Sequence, residues 1–201
     1  MTQTRQRRGP GRRPGTSGTR EAIVRAAQQS FAERGYTATT IRGVATAADV
    51  DPALVLQFFG SKDGLFDAAL RVDPPTRPLL ALVQESDADV LGERLLRRYL
   101  ELWETPGTGA RLLAVVRGSA ASPSASAMVA AFMSEEVMLP LARAIGADHA
   151  ELRANLTGAH LLGIATARYV LRVEPLASLD RERLVAIQAP VVQRHLTGDL
   201  G

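Results

Sequence analysis

The chain has 201 residues, enough to bury a sizeable core, and 46% of them are hydrophobic, which excludes wholesale disorder. Aromatics are only 4% while Ala and Leu are abundant, a balance that suits packed helices better than sheets. There is no cysteine, so disulfides and thiolate metal sites are excluded, and any metal would rest on three histidines and carboxylates; none is expected.

The net charge of +3 conceals an asymmetry. Six of the 24 Lys and Arg residues (Arg5, Arg7, Arg8, Arg12, Arg13 and Arg20) lie within residues 1–20, where there is no acid, leaving 18 bases against 21 acids in the rest. Residues 1–18 are rich in Gly, Pro and Arg and read as a disordered basic arm suited to a polyanion, nucleic acid first. The next segment, broken by Arg25, Gln28 and Glu33, is no signal-peptide core. No uninterrupted apolar run approaches a membrane span, so a cytoplasmic protein with no membrane partner is expected.

Periodic helix begins near Ser17, with Ile23, Ala26, Ala27 and Phe31 on one face and Gly35 as its stop. A second helix starts at Thr39 or Thr40, either a good N-cap, and runs through Ile41, Val44 and Ala45. A third starts after Asp51 with Pro52 in its first turn and ends near Gly60. Ser61 caps a fourth, apolar at Leu65, Phe66, Ala69 and Leu70, that stops before Asp73-Pro74-Pro75. Further helices are expected near 77–85, 88–104, 108–121, 125–145, 148–173 and 179–196. No segment alternates like a strand for long, so the chain is all-α.

Two short helices crossing steeply need a small residue where they approach, a tight turn, and an apolar lock on the second helix. Ala45, the Ala48-Asp49-Val50 turn and Val55 fill those roles, with Asp49 at the position that must tolerate left-handed backbone. The stretch TTIRGVATAADVDPALVLQFFGSKDGLF, residues 39–66, extended back through residues 20–40, resembles the N-terminal domain of the tetracycline-repressor (TetR) family of regulators. Gly35-Tyr36, Thr39-Thr40, Ala45, Val50 and Phe59-x-x-Lys62 all fall in that family's register.

The resemblance implies a helix-turn-helix DNA-binding domain over 19–66 and a helical effector-binding and dimerisation domain over 67–201. It implies a homodimer on a double-stranded operator, repressor-like, with an unknown small-molecule effector and no cofactor. By position, Thr40, Arg42, Leu54, Leu56, Gln57 and Lys62 would face DNA. The family usually shows Thr at 54 and Tyr at 56, so the leucines depart from its contact set. Lys62 at a helix start suits a phosphate, Arg42 a guanine edge, and Ala53, Leu54 or Leu56 a thymine methyl; the leucines could instead be core. Arg12 and Arg13 of the arm could enter a minor groove, or the arm could serve only solubility.

For dimerisation the residues point to the last two long helices, through Leu152, Leu156, Leu161, Leu162, Leu184, Ile187, Val191 and Leu196, with Pro190 expected to kink the second. For an apolar ligand site they offer Tyr99, Trp103, Met128, Phe132, Met133, Met138, His160 and Tyr169. Chemistry is sparse: there is no GxSxG, phosphate loop or HExxH, and Asp148-His149-x-Glu151 reads as a charged helix start, so no catalytic residues are assigned. The competing reading is a constitutive or architectural DNA-binding dimer, which would fill its C-terminal core where a sensor would leave a cavity.

Overall fold

The computed structural model describes residues 16–74, 76–120 and 122–200, and the helices among them follow the sequence periodicity closely. They are α1 (Thr16–Ala38), α2 (Ile41–Ala47), α3 (Pro52–Phe59), α4 (Lys62–Arg71), α5 (Arg77–Glu85), α6 (Leu91–Glu104), α7 (Thr108–Ser119), α8 (Pro123–Phe132), α9 (Leu139–Ile145), α10 (Ala150–Ala165) and α11 (Arg181–Thr197). Helix begins at Thr16, inside the stretch expected to be arm; Arg12 and Arg13 lie outside the described residues.

Local chemistry sets the boundaries. Gly35 (φ 75°) interrupts α1, because an L side chain would oppose that backbone. Thr39 is buried and its hydroxyl donates to the Ser30 and Gly35 carbonyls, which leaves Thr40 as the α2 cap, its Oγ accepting from Gly43 N–H. Asp49 takes left-handed backbone (φ 54°), as the turn requires. Asp51 and Ser61 cap α3 and α4 by accepting from Ala53 N–H and Gly64 N–H.

A π-helical turn, Met133–Met138, joins α8 to α9 just before Pro140, whose missing N–H cannot sustain the ordinary ladder. The helical run Pro123–Ile145 is thereby continuous, and by length and composition it is apolar enough to cross a bilayer, which the sequence reading did not anticipate. It packs instead on α4, α5, α7 and α10, burying Ala125, Val129, Phe132, Leu141 and Ala142. A second π-helical turn, Thr166–Val170, ends the α10 run three residues earlier than the periodicity suggested.

One apolar core runs from Ile23, Val44 and Val55 through Phe66 and Leu70 to Leu96, Leu184 and Leu196. α4 spans the expected 66/67 domain boundary as a single helix. It is wedged between α1, α3 and α8. A Cβ on Gly118 of α7 would come within 2.9 Å of Phe66 Cζ, so glycine there sets how closely α4 and α7 approach.

Candidate nucleic-acid interface and internal cavity

α2 and α3 are joined by the Val50 N–H to Ala45 carbonyl hydrogen bond, with Val44, Ala45 and Val55 fully buried behind them. That frame decides the ambiguous leucines. Val55 is 0% exposed, whereas Leu56 is 46% exposed and neither Leu54 nor Leu56 packs into the core. Ala53, Leu56 and Gln57 are all exposed at i, i+3 and i+4, one face of α3; Leu54, beside it, is half-buried. Arg42 and Thr40 are exposed on the start of α2, and the Arg42 side chain has no ion pair among the described residues.

Lys62 is more constrained than its position in sequence suggests. Its ammonium donates to the Thr37 carbonyl (3.1 Å) and lies 4.5 Å from the Tyr36 ring centroid. Burial holds its pKa below the usual lysine value, with the neighbouring Asp63 charge opposing that shift. An ammonium has three donors, so others remain for a phosphate. The Tyr36 hydroxyl in turn donates to the Asp63 carboxylate in a short hydrogen bond, which holds Asp63 below its usual pKa, with Ser124 of α8 assisting. Tyr36 also stacks on Phe31 and meets Phe66 edge-on, tying α1 to α4. Its place beside Lys62 was not legible, because Tyr36 and Lys62 are brought together only by the crossing of α1 and α4. Arg20, whose guanidinium lies 5.2 Å from the Phe59 ring centroid, likewise joins the end of α3 only in the fold.

In the C-terminal half, α5, α6, α7, the α8–α9 run and α10 enclose a cavity of about 120 Å³. Leu79, Leu95, Leu112, Met133, Met138 and Leu161 give it an apolar wall, and among the described residues no Asp, Glu, Lys, Arg or His lines it. Tyr99, Trp103, Met133 and Met138, four of the eight residues proposed for a ligand, lie on this wall. Phe132 lines an adjoining cavity of about 60 Å³, which shares Thr76, Leu112, Val115 and Met133 with the first and reaches Phe31 of α1 and Phe66, Ala69 and Leu70 of α4.

The other three lie elsewhere. Tyr169 stacks flat on Trp103 (5.4 Å between centroids, 6° between planes) and donates to Glu104, and burial followed by that carboxylate pushes its pKa to about 12. His160 pairs with Gln188 and meets the His195 ring edge-on, and Met128 packs against the core; neither lines either cavity. The sequence pattern missed Thr76, which follows a proline cluster; Met138, which it named, is admitted to the wall by Gly158 of α10, where a Cβ would come within 2.7 Å of Met138 Sδ.

The cavity wall is linked to α4 by charge. Arg71 at the C-terminal end of α4 forms ion pairs with Asp67, with Glu135 (2.9 Å) and with Glu136 (3.2 Å). The two glutamates belong to the π-helical turn whose Met133, Val137 and Met138 line the cavity.

Residues 23–69 match the family described as bacterial regulatory proteins, tetR family, and residues 89–196 match the tetracyclin repressor-like C-terminal domain. The chain belongs to the tetR family. A TetR-family regulator from Streptomyces coelicolor A3 is 35% identical, aligned over 93% of this chain and 99% of that one, with a TM-score of 0.62. An HTH-type transcriptional repressor of Mycobacterium tuberculosis, Rv3405c, is 42% identical over 78 residues, which span 39% of this chain and 40% of that relative's length. The SmeT–triclosan complex, 21% identical over 87% of this chain and 90% of that one with a TM-score of 0.61, speaks for the fold alone. Transcription regulation through a DNA-binding helix-turn-helix is therefore the family activity.

Proposed function

We propose that this TetR-family chain is a homodimeric repressor that places α3 in the major groove of an operator and leaves it when a small ligand fills the cavity. The observation that carries the ligand response is the Arg71 cluster. It ties α4, which packs directly on α3, to the helical turn that forms the cavity wall. A ligand releases DNA only if it favours a conformer in which the two reading helices are misplaced. Enlarging the cavities against Met133 would press on the π-helical turn and on the α4 residues Phe66, Ala69 and Leu70 together. A solved neighbour of the same fold holding triclosan is consistent with a small-molecule ligand.

The DNA contacts proposed are Thr40, Arg42, Ala53, Leu54, Leu56, Gln57 and Lys62, with Arg12 and Arg13 of the arm adding phosphate or minor-groove contacts. The dimer is proposed to form through Leu152, Leu156 and Leu162 of α10 and Ile187 and Val191 of α11, an exposed apolar stripe next to α6-facing residues that are already buried. Leu161, Leu184 and Leu196, read from sequence as part of the same pair of helices, are buried within the chain. A two-fold axis across the stripe would set two α3 helices about 34–36 Å apart, one turn of DNA.

Selecting bound fragments from genomic DNA with the full chain identifies the operator, and candidate compounds are then screened for release. Arg71→Gln is expected to keep operator affinity and lose most of the release. Deleting residues 2–14 is expected to weaken operator binding and flatten its salt dependence. If compounds that bind the chain leave DNA affinity unchanged, the protein is a constitutive DNA-binding dimer and the ligand response is wrong.

A further inference from the structure

We propose that Arg34 of α1 holds a phosphate of the DNA backbone together with the Thr40 hydroxyl, a contact outside the reading helix; this rests on the reading of Thr40 as a DNA contact. Arg34 is exposed, and its guanidinium forms no ion pair or hydrogen bond among the described residues. It nevertheless has a defined place. A Cβ on Gly43 of α2 would lie 3.7 Å from Arg34 Nη1 and 3.1 Å from Thr40 Oγ1, so both groups reach the same bare patch at the start of α2.

The fold positions both partners before DNA arrives. Arg34 lies one turn beyond the buried Phe31, at the end of the packed stripe of α1. Thr39, whose hydroxyl donates to the Ser30 and Gly35 carbonyls, then pins the bend that leads to Thr40. The Thr40 oxygen already accepts from the Gly43 N–H, which leaves its hydroxyl proton to donate to a phosphate oxygen. A guanidinium presents its donors as a planar fork that matches a phosphate.

Charge around the bend is one-sided. α2 contains no Asp or Glu, and Arg42 follows Thr40 on its exposed face. Lys62 reaches the same bend through the Thr37 carbonyl. The neighbouring acids are turned elsewhere: Glu33 accepts from Gln29 (2.9 Å) back along α1, and Asp63 accepts from Tyr36. Arg34, Arg42 and Lys62 therefore gather without an ion pair among the described residues, an arrangement suited to a polyanion. Arg25, on the opposite side of α1 at about 3.6 residues per turn, pairs with Glu21 instead.

Binding is measured by fluorescence anisotropy over a range of salt concentrations, with the full chain and two labelled DNAs. One is a mixed-sequence duplex about three helical turns long, the other the operator selected from genomic DNA. A phosphate contact carries no sequence information, so Arg34→Gln is expected to weaken both by the same factor. It should also make the salt slope shallower by about 0.9 for each chain bound. The native chain's advantage then shrinks about three- to fourfold per chain between 50 and 200 mM salt. Arg34→Lys, which retains the charge, should keep the native slope, and so should Arg25→Gln. Neutralising the operator phosphates one at a time as methylphosphonates should reveal a position that weakens the native chain and leaves Arg34→Gln unaffected.

An unchanged slope for Arg34→Gln, an equal loss of slope for Arg25→Gln, or the lack of any such phosphate would overturn the inference. So would a loss confined to the operator, which would mark a base contact. Thr40→Asp separates the two readings, because it keeps a cap on α2 but opposes a phosphate. If it weakens binding and Arg34→Gln does not, Thr40 remains a DNA contact and the inference alone falls. If it binds as the native chain does, Thr40 is not at the phosphate and both readings fall.

Discussion

Four consecutive apolar residues of α3 divide sharply between frame and surface, and a pair of alanine substitutions measures the division. Val55 is fully buried between α2 and the core, so Val55→Ala removes two buried methyls and leaves a void. At about 0.8 kcal/mol per buried methyl plus a cavity contribution, the loss is about 2 kcal/mol. In a chain of this size that lowers the thermal midpoint by about 4–8 °C. Leu56 is nearly half exposed and touches no core residue, so Leu56→Ala is expected to cost under about 1 kcal/mol. The order reverses for DNA. Leu56→Ala should weaken operator binding a few-fold with the fold intact, and Leu56→Tyr, which adds a hydroxyl on the same face, should strengthen it. Melting followed by circular dichroism and operator titration at one fixed salt concentration give both quantities. A midpoint loss for Leu56→Ala equal to that for Val55→Ala would show that Leu56 is core and that α3 reads DNA with another face.

Three further outcomes follow from the contacts around this unit. Tyr36→Phe removes the donor to Asp63 and should cost about 1 kcal/mol in urea unfolding, while the Asp63 carboxyl, followed by NMR, returns toward its ordinary 3.8; an unmoved carboxyl would refute the link. His195 has its pKa lowered by burial, by His160 and by Arg194, so the folded chain resists a proton that the unfolded chain accepts below pH 6.5. Stability from this group is unaffected above pH 6.5 and falls as pH drops through that value toward the folded pKa, so the midpoint loss between pH 7.5 and 5.5 should be larger for the native chain than for His195→Gln. Equal losses would remove His195 as the cause. Ile187→Glu places a charge on the exposed α10–α11 stripe and is expected to give a monomer in sedimentation, with operator binding reduced at least tenfold; a dimer of undiminished affinity would move the interface elsewhere.

Sequence by itself determined the helices and the helix-turn-helix. Those features are written in short-range chemistry: Pro52 in a first turn, Asp51 and Ser61 as caps, Gly35 and Asp49 at positive φ, and an apolar face repeating every three to four residues. The same chemistry named Tyr99 and Trp103 as large side chains available to a ligand. It named Val55 as the lock but could not settle whether Leu54 and Leu56 were core as well, because periodicity over one eight-residue helix leaves the width of the buried face open until the neighbouring helices close on it. Nor could it place His160 beside His195, Tyr36 beside Lys62, or Arg71 beside Glu135 and Glu136, pairs separated by 26 to 65 positions that meet only when helices cross. The cavity is likewise a property of packing. No residue encodes it alone; it is the volume left when Gly158 admits Met138, α5, α6, α7 and α10 close around it, and a π-helical turn carries the chain past Pro140.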